Sequence, residues 1–485
     1  MKSQSKLNLN WTRNISVKPS VFFPSNENDL KKKLLKKNFI PAGNQRSFGD
    51  NAINKKNILC LKKFNKIISF DKNKGIINTE SGVLISDVLK IICKDGWFFP
   101  VTPGSKYVSI GGIIANNVHG KNTKNNQISY YIKEIKLLMT NGKIIFCSNK
   151  KNQRLFHLTI GGFGLSGIIL SAKIKLKKIK SIYIDQKISG FSSYDQFFSL
   201  LKNTKRYEYY VSWVETFSKA NINGLTFFGN HSNSKDTFLT FQHKDRKLNA
   251  LNYILLKYFV NSFTRIKFIN YFFRKVKSIF YKRKVTLNDF FYPQDKYMDF
   301  NKIYGSNGFF QVQFLVQLKS FKKLMGEISS FFKENKIFSS FIILKIMNEK
   351  GKYLNYNGKG ISVSMDIPIN QKKILITNFM NYLFKKYKVK INFSKDSIAK
   401  PDLLKKSAQY FSFKRDLSKI DKTSLDFEPS SPQVKSTARP LGETIFQLKI
   451  SFPAILLAAR IGSIVEATVI KELAGKISMT TLRQF

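Results

Sequence analysis

The sequence predicts an α+β protein of two or more domains, one of them built on an antiparallel sheet. Three observations carry this. The chain has 485 residues, more than one hydrophobic core accommodates. Up to about Lys178, short β-branched runs alternate with turn signals and isolated amphipathic stretches, and the regular alternation of a doubly wound fold is absent. From about Ser181 to Tyr387 longer strands follow, in which polar residues recur at every second position.

In chain order, Asn10-Trp11 and Val21–Pro24 lead in. Ser25 is the N-cap expected for a helix running to Lys37, its hydroxyl accepting from the unpaired N–H groups of a helix start. Strands are expected at Ile58–Leu61, Lys66–Phe70 and Gly75–Thr79, then an amphipathic helix over Leu84–Cys93. Ile132–Met139 and Lys143–Cys147 flank Thr140-Asn141-Gly142, whose Asn-Gly favours a hairpin turn. A further strand is expected over Ile168–Leu176. Tyr207–Phe228 reads as aromatic strands that include Trp213. Phe309–Leu318 (FFQVQFLVQL) puts Gln311 and Gln313 on one face, and Ile361–Ile367 (ISVSMDI) does the same with Ser362 and Ser364. That face is either solvated or the floor of a pocket for a hydroxyl-rich ligand. Leu248–Lys284 is dense in Tyr, Phe and Ile with Lys and Arg interleaved. It reads as an element lying on an anionic lipid interface, as a platform for single-stranded nucleic acid, or as a helix pair packed on the sheet.

Three glycine-containing loops punctuate the first part: Pro41–Asp50 (PAGNQRSFGD), Val101–Asn122 (VTPGSKYVSIGGIIANNVHGKN) and Thr159–Ile169 (TIGGFGLSGII). Glycines let main-chain N–H groups approach a ligand phosphate, although such turns also serve plain packing. Three of them within one domain's length suit one extended ligand. Gly162–Gly167 spells GxGxxG, but the β-branched residues after it read as a strand, whereas a nicotinamide fold needs a helix there.

On these motifs the chain resembles the vanillyl-alcohol oxidase superfamily, with PAGNQRSFGD similar to its pyrophosphate loop and the other two loops in the order of its remaining FAD contacts. The HGKN ending is similar to the decaprenylphosphoryl-ribose oxidases within it. The resemblance runs from about Trp11 to about Asp426. It implies a PCMH-type FAD-binding domain of two subdomains over 1–178, an inserted antiparallel-sheet substrate (cap) domain over 179–387, and a return segment over 388–438 completing the site. It implies FAD contacts from Ala42, Gly43, Asn44, Gln45, Arg46, Ser47 and Phe48, and from Pro103, Gly104, Ser105, Val108, Gly111, Gly112, Asn116, His119, Gly120 and Asn122. Gly162, Gly164, Gly167 and Ile168 complete that set. Lys121, Lys345, Gln311, Gln313, Ser362, Ser364 and Trp213 are implied to bind substrate, with Lys395, in a matching Lys-Asp-Ser, and His119 as catalytic candidates. The chain departs from the pattern at Phe48, where Tyr is common, and at Ser362 and Ser364, where some members have Asn and Cys. Pro41–Asp50 holds neither His nor Cys, so FAD is expected to be noncovalent.

Composition narrows the remainder. The net charge is +53, with 43% hydrophobic and 14% aromatic residues, which excludes a disordered chain. Such charge suits nucleic acid or an anionic membrane. It also follows from joint enrichment in Lys, Asn, Ile and Phe, as AT-biased codons would give, so it assigns no partner by itself. Cys60, Cys93 and Cys147 each lie in an apolar run and read as buried thiols of a reducing compartment. Met1–Arg13 lacks a signal-peptide core and no apolar run reaches about 18 residues. The expectation is a cytoplasmic protein, peripheral at the inner membrane surface through 248–284.

The four histidines show no metal-binding spacing and no Gly-x-Ser-x-Gly elbow is present, so the expected chemistry is the flavin's. The resemblance implies oxidation of a secondary hydroxyl on a polyprenyl-phosphate-linked pentose to a keto sugar. This would be the first half of a ribose-to-arabinose-type epimerisation, with a short-chain dehydrogenase as partner for the second half. Lys395 is either the base or the group that orients the hydroxyl. Two alternatives stay open: a free sugar-alcohol or aldonolactone oxidase of the same superfamily, and a basic membrane- or nucleic-acid-binding protein without flavin chemistry. Nucleic acid is not expected as a partner of the enzyme. The last stretch, 439–485, resembles an early piece of the short-chain dehydrogenases, either as a remnant or as an extra helix on the body.

Overall fold

The computed structural model describes residues 10–15, 17–34, 39–215, 221–233, 250–279, 281–296, 300–305, 307–369, 372–405 and 407–420. The expectations for 439–485 and for His243 lie outside these residues.

Two large antiparallel sheets organise the chain, as the α+β reading requires. The first has five strands in the order Ile67–Asp71, Ile76–Glu80, Ile168–Lys175, Ile132–Leu138, Ile144–Cys147. Helices Ile85–Ile92 and Ile110–Ala115 cover one face, where Val88, Leu89, Ile92, Ile113 and Ile114 meet Ile135 and Ile174. On the other face Leu138, Ile168 and Leu170 meet Leu30, Leu34, Leu59 and Phe64. Leu30 and Leu34 come from helix Glu27–Leu34, Leu59 from a three-stranded parallel sheet of Ser20–Phe22, Asn57–Cys60 and Ile40–Ala42, and Phe64 from the turn after it. Of that small parallel sheet the sequence showed the central strand, expected at Ile58–Leu61 and observed at Asn57–Cys60; its two partners, of three residues each, carry too few positions to show a periodicity. The helix begins one residue later than expected: Asn26 Oδ1, not the Ser25 hydroxyl, accepts from Asp29 N at 2.9 Å. The hairpin at Thr140–Gly142 forms as expected, with Gly142 at φ 80° and Leu138 paired to Ile144. A strand, Ile168–Lys175, follows Gly162–Gly167, which agrees with setting the nicotinamide fold aside.

The second sheet has eight strands in the order Lys282–Thr286, Tyr183–Phe191, Gly224–His231, Tyr209–Val214, Phe341–Glu349, Gly358–Pro368, Phe309–Val316, Lys390–Ile391. Period-two alternation decides its faces. Ile361, Val363, Met365 and Ile367 meet Phe321, Leu324, Met325, Ile328 and Phe332 of helix Leu318–Glu334, a stripe at spacing 3, 1, 3, 4. Each such fully buried side chain stabilises the fold by about 1.5–3 kcal/mol. Gln311, Gln313, Ser362, Ser364 and Asp366 lie on the opposite face and are buried as well. The polar alternation is therefore an interior surface and not a solvated one. Helix Phe263–Ile279 lies against strands Tyr183–Phe191 and Gly224–His231, and helix Ala250–Val260 packs beside it and against Ile303, Tyr304 and Phe309, so 248–284 does include a helix pair packed on the sheet domain.

After Lys390–Ile391 the chain returns to the first glycine loop. Ser394 O accepts from Ser47 Oγ at 2.9 Å and from Gly49 N at 3.1 Å. Asp396 Oδ2 accepts from Ala399 N at 2.6 Å and Ile398 N at 3.2 Å. Burial, with the Asp50 charge adding, pushes the Asp396 carboxyl up to about 7, and burial pushes Asp50 to about 6, from an ordinary 3.8. Both groups hold their protons to higher pH folded than unfolded. The unfolded chain therefore releases protons first, and stability falls as pH rises from the ordinary value to about 7. Asp396→Asn keeps the accepting oxygen and removes one of these charges. Its melting temperature is expected to fall less than the parent's between pH 4.5 and pH 8, standing a few degrees higher at the upper end. Parallel melting curves for the two proteins would contradict this.

Candidate active site between the glycine loops and the polar sheet face

The three glycine loops, far apart in sequence, meet. A Cβ on Gly43 would lie 2.0 Å from Ser109 Oγ, and one on Gly164 (φ 82°) 2.8 Å from Pro41 Cγ, so both positions need glycine for close approach. Gly161 N donates to Ile114 O at 3.0 Å and Phe163 N to Ala115 O at 2.9 Å. Asn51 Nδ2 donates to Asn116 Oδ1 and Asn44 Nδ2 to Tyr107 O, each at 2.7 Å. The Arg46 guanidinium lies 4.3 Å from the Trp11 ring centre and 5.5 Å from that of Tyr107, fixing the first loop against the second. Beyond Gly104 there is open space. Gly162 and Gly167 instead back onto Leu158 O and Leu138 O, and Ile168 sits in the core, so what is seen of these three is packing.

Side chains brace the second loop. Ser105 Oγ accepts from Tyr107 N at 3.2 Å, Gly111 N donates to Ser81 O at 2.7 Å, and Gly112 N to Ser109 Oγ at 3.3 Å. Asn122 Nδ2 donates to Pro100 O at 3.0 Å. Buried Lys106 reaches Asn288 Oδ1 at 3.1 Å while its N–H donates to Asp295 Oδ2 at 2.6 Å, and Thr102 Oγ1 lies 2.6 Å from the Tyr292 hydroxyl. The loop is thus tied to 287–296 of the larger sheet's own segment. Ala42 and Val108 contribute apolar contacts.

The polar sheet face closes on the end of this loop. Gln313 Nε2 lies 3.1 Å from His119 Nε2 and donates to Ser362 Oγ at 3.0 Å, while Gln313 Oε1 accepts from Asn392 Nδ2 at 2.7 Å. An amide NH2 facing the imidazole makes Nε2 the acceptor, so the network places the ring proton on Nδ1. That Nδ1 is buried and has no hydrogen-bond partner among the described residues. Tyr356 OH donates to Ser362 Oγ at 2.8 Å, and its ring centre is 5.7 Å from that of His119. Lys345 Nζ donates to Gly120 O at 3.0 Å, again joining sheet to loop. Lys395 Nζ lies 5.7 Å from the Phe48 ring centre, and Gln311 Nε2 donates to Asp366 Oδ1. Lys121 Nζ donates to Phe290 O and lies over the Phe290 and Phe291 rings.

Charge is unbalanced here. Burial, then Lys345 and Lys395, hold the His119 imidazole well below its usual range. Burial, then Lys395 and Lys121, do the same to the Lys345 ammonium. Burial brings Lys121 down to about 7 and lowers Lys395, which Asp366 partly offsets. Asp366 itself is pushed up to about 6 by burial. Three lysines and a neutral imidazole thus face one carboxylate, an arrangement that an anionic ligand would suit.

The structure brings His119, Gln313 and Ser362 into direct contact, and sets Lys345, Gln311, Ser364 and Lys395 on or beside the same face. It does not bring Trp213 there: its indole packs with Ile188, Leu225 and Phe273 under helix Phe263–Ile279. Tyr356, Asp366 and Asn392 join the network without having been singled out from the sequence. Asp366 continues the alternation of Ser362 and Ser364 and was legible in that pattern. Asn392 stands three residues before Lys395, and Tyr356 sits in a loop with no signal of its own.

The family described as FAD binding domain matches residues 20–148. The chain is similar to the decaprenylphosphoryl-beta-D-ribose oxidase of Mycolicibacterium smegmatis, with 29% identity over 60% of this chain and 66% of that protein. It is similar to a D-lactate dehydrogenase of Anaerostipes hadrus, 29% identical over 24% of this chain and 26% of that protein. It is also similar to a D-arabinono-1,4-lactone oxidase of Candida glabrata, 24% identical over 38% of this chain and 37% of that protein. The chain thus spans less than two thirds of the length of each of these relatives. The residues present fit the cofactor: glycines that admit close main-chain approach, open space beyond Gly104, a buried imidazole donor awaiting a partner, and a surplus of cations for an anionic ligand. Residues 20–148 are an FAD binding domain of the PCMH type, and FAD is the cofactor of this chain.

Proposed function

We propose that the chain oxidises a secondary hydroxyl of a phosphate-bearing, lipid-linked pentose to a ketone. The carrying observation is the hydrogen bond between His119, on a loop of the FAD binding domain, and Gln313, on the polar sheet face. It makes one buried junction of the place where a cofactor is held and the place where hydroxyl partners are displayed. Bound FAD supplies a two-electron acceptor for the hydride of the carbinol carbon.

The rest is done by side chains. Gln311, Gln313, Ser362 and Ser364 offer amide and hydroxyl partners that fix which hydroxyl is presented. Lys345 and Lys121 supply positive charge for the phosphate. The Lys395 amine takes the hydroxyl proton at Nζ. Burial lowers its basicity, which enlarges the neutral fraction able to accept a proton, and Asp366 offsets the charge that results. His119, neutral with its proton on Nδ1, donates toward the cofactor. The excess of lysines over carboxylates favours a phosphorylated substrate. The second reading, a free polyol or aldonolactone, rests on the two serine hydroxyls and on the resemblance to the Candida lactone oxidase.

Anaerobic mixing with phosphoryl-linked pentoses is expected to bleach the flavin absorbance, with free polyols and aldonolactones slower. The reverse order would favour the second reading. Lys395→Met should keep the yellow colour and slow bleaching by about 10²–10⁴-fold, the range of a lost proton acceptor. An unchanged rate removes Lys395 from the chemistry. Gly43→Ala should lower FAD retention, because the added methyl meets Ser109 Oγ, and adding Ser109→Ala should restore part of it. No rescue would mean that the contact is not the cause. With no His or Cys in Pro41–Asp50, acid precipitation should leave all FAD in the supernatant. A yellow pellet would show a covalent link from elsewhere in the chain.

A further inference from the structure

The helix pair Ala250–Val260 and Phe263–Ile279 carries its aromatic residues on both sides. On the second helix, Ile266, Asn270 and Lys277 turn inward, while Thr264, Phe268, Tyr271 and Lys275 form an outward stripe at spacing 4, 3, 4. The first helix adds Ile254 and Tyr258 to that surface. Ile254 is 60% exposed and Tyr258, Phe268 and Tyr271 are 48–49% exposed. A solvated helix face is ordinarily polar, and this one is not.

We propose that this face docks on the surface of an anionic lipid bilayer. Charge names the occupant. Between 250 and 284 the chain has nine Lys or Arg and no Asp or Glu. Of these, Arg274 is paired with Glu215 on a neighbouring strand end, Lys277 is buried, and Lys282, Arg283 and Lys284 belong to strand Lys282–Thr286; the other four, Lys257, Arg265, Lys267 and Lys275, lie on the helices that carry the aromatic stripe. Two copies meeting through this face would bring like charges together. Nucleic acid would need open ring faces for stacking. The Tyr258 face already carries the Arg265 guanidinium at 3.7 Å, and Lys267 lies 4.3 Å from the Phe263 ring centre. Ring edges and one isoleucine, framed by long cationic stems, suit the boundary between headgroups and acyl chains. Among the described residues no helix is long and apolar enough to cross a membrane, so the contact is one of lying on the surface.

The position of this face gives the docking a use. Leu256, Val260 and Ile266 form one cluster with Ile303, Tyr304 and Phe309, and Phe48 leans on it. Tyr304 stacks on Phe309 at 4.1 Å, and Phe48 meets Phe309 edge-on at 5.9 Å while its ring lies under Lys395. A continuous chain of packed side chains thus runs from the inner side of this helix pair to Lys395. A lipid-linked substrate would be taken up with its tail still in the bilayer. That delivery rests on the function proposed above, whereas the docking does not.

The purified full chain is tested by co-sedimentation with vesicles of phosphatidylcholine alone or with phosphatidylglycerol added. Binding is expected only with phosphatidylglycerol, and it should weaken as salt is raised. Each cation near such a surface is worth about five-fold in binding, so Lys257→Gln/Lys267→Gln/Lys275→Gln should lose on the order of a hundred-fold. Phe268→Ser/Tyr271→Ser should remove the part that survives high salt. Ile374→Ser, which alters an apolar residue 79% exposed on another helix, should change nothing. Flavin absorbance reports folding in each case. Should the triple variant not fold, Phe268→Cys labelled with an environment-sensitive dye reads the same surface, with a blue shift expected on anionic vesicles. Equal binding by parent and triple variant, equal binding to uncharged vesicles, tighter binding to single-stranded RNA than to vesicles, or a parent dimer that the variants dissociate would each overturn the docking. Vesicle binding without flavin bleaching would leave the docking intact and count against the proposed substrate alone.

Discussion

The contact on which the rest depends is the buried amide of Gln313, held between the imidazole of His119, the hydroxyl of Ser362 and the amide of Asn392. Its three neighbours come from a glycine loop, a neighbouring strand of the large sheet and the return segment. Leaving such a group unpaired in the interior costs about 1–3 kcal/mol, so each partner is held to its place by the others. The junction also fixes a protonation pattern. Because the amide donates to Nε2, the imidazole is set as a neutral donor at Nδ1, without any carboxylate to orient it.

Around this junction the chain accepts an electrostatic cost. Lys121, Lys345 and Lys395 share a low-dielectric region with His119, and Asp366 offsets only part of their charge. A purely structural interior would have replaced them with apolar side chains, which pack without a desolvation penalty. Burial, and then their proximity to one another, lowers the proton affinity of these groups, and an anion placed beside them would raise it again.

Much of this was legible in the sequence. Period-two alternation gave the sheet face bearing Gln311, Gln313, Ser362 and Ser364, and the glycines marked three loops that do meet in the fold. What alternation left open was which side of that face is wet, since burial depends on partners that no local pattern names. The resemblance supplied Lys395, which lies after a strand of only two residues, too short to announce itself. Trp213 shows the opposite failure: it lies on the correct sheet, but helix Phe263–Ile279 covers that end and takes the indole for packing. Tyr356 was invisible because its position depends on a loop whose course only the folded chain decides.

The return of the chain to its first loop has a consequence for how the molecule comes into being. Ser394 is tied to Ser47 and Gly49 across nearly the whole length of the fold, and Asn392 reaches Gln313 in the same step. During synthesis the glycine loops and the five-stranded sheet leave the ribosome hundreds of residues before Lys395 does. Such long-range closure is slow to form, because the intervening chain must first be ordered. The first glycine loop and the segment that carries Lys395 therefore reach their final places together, and only after the whole of the eight-stranded sheet between them has been made.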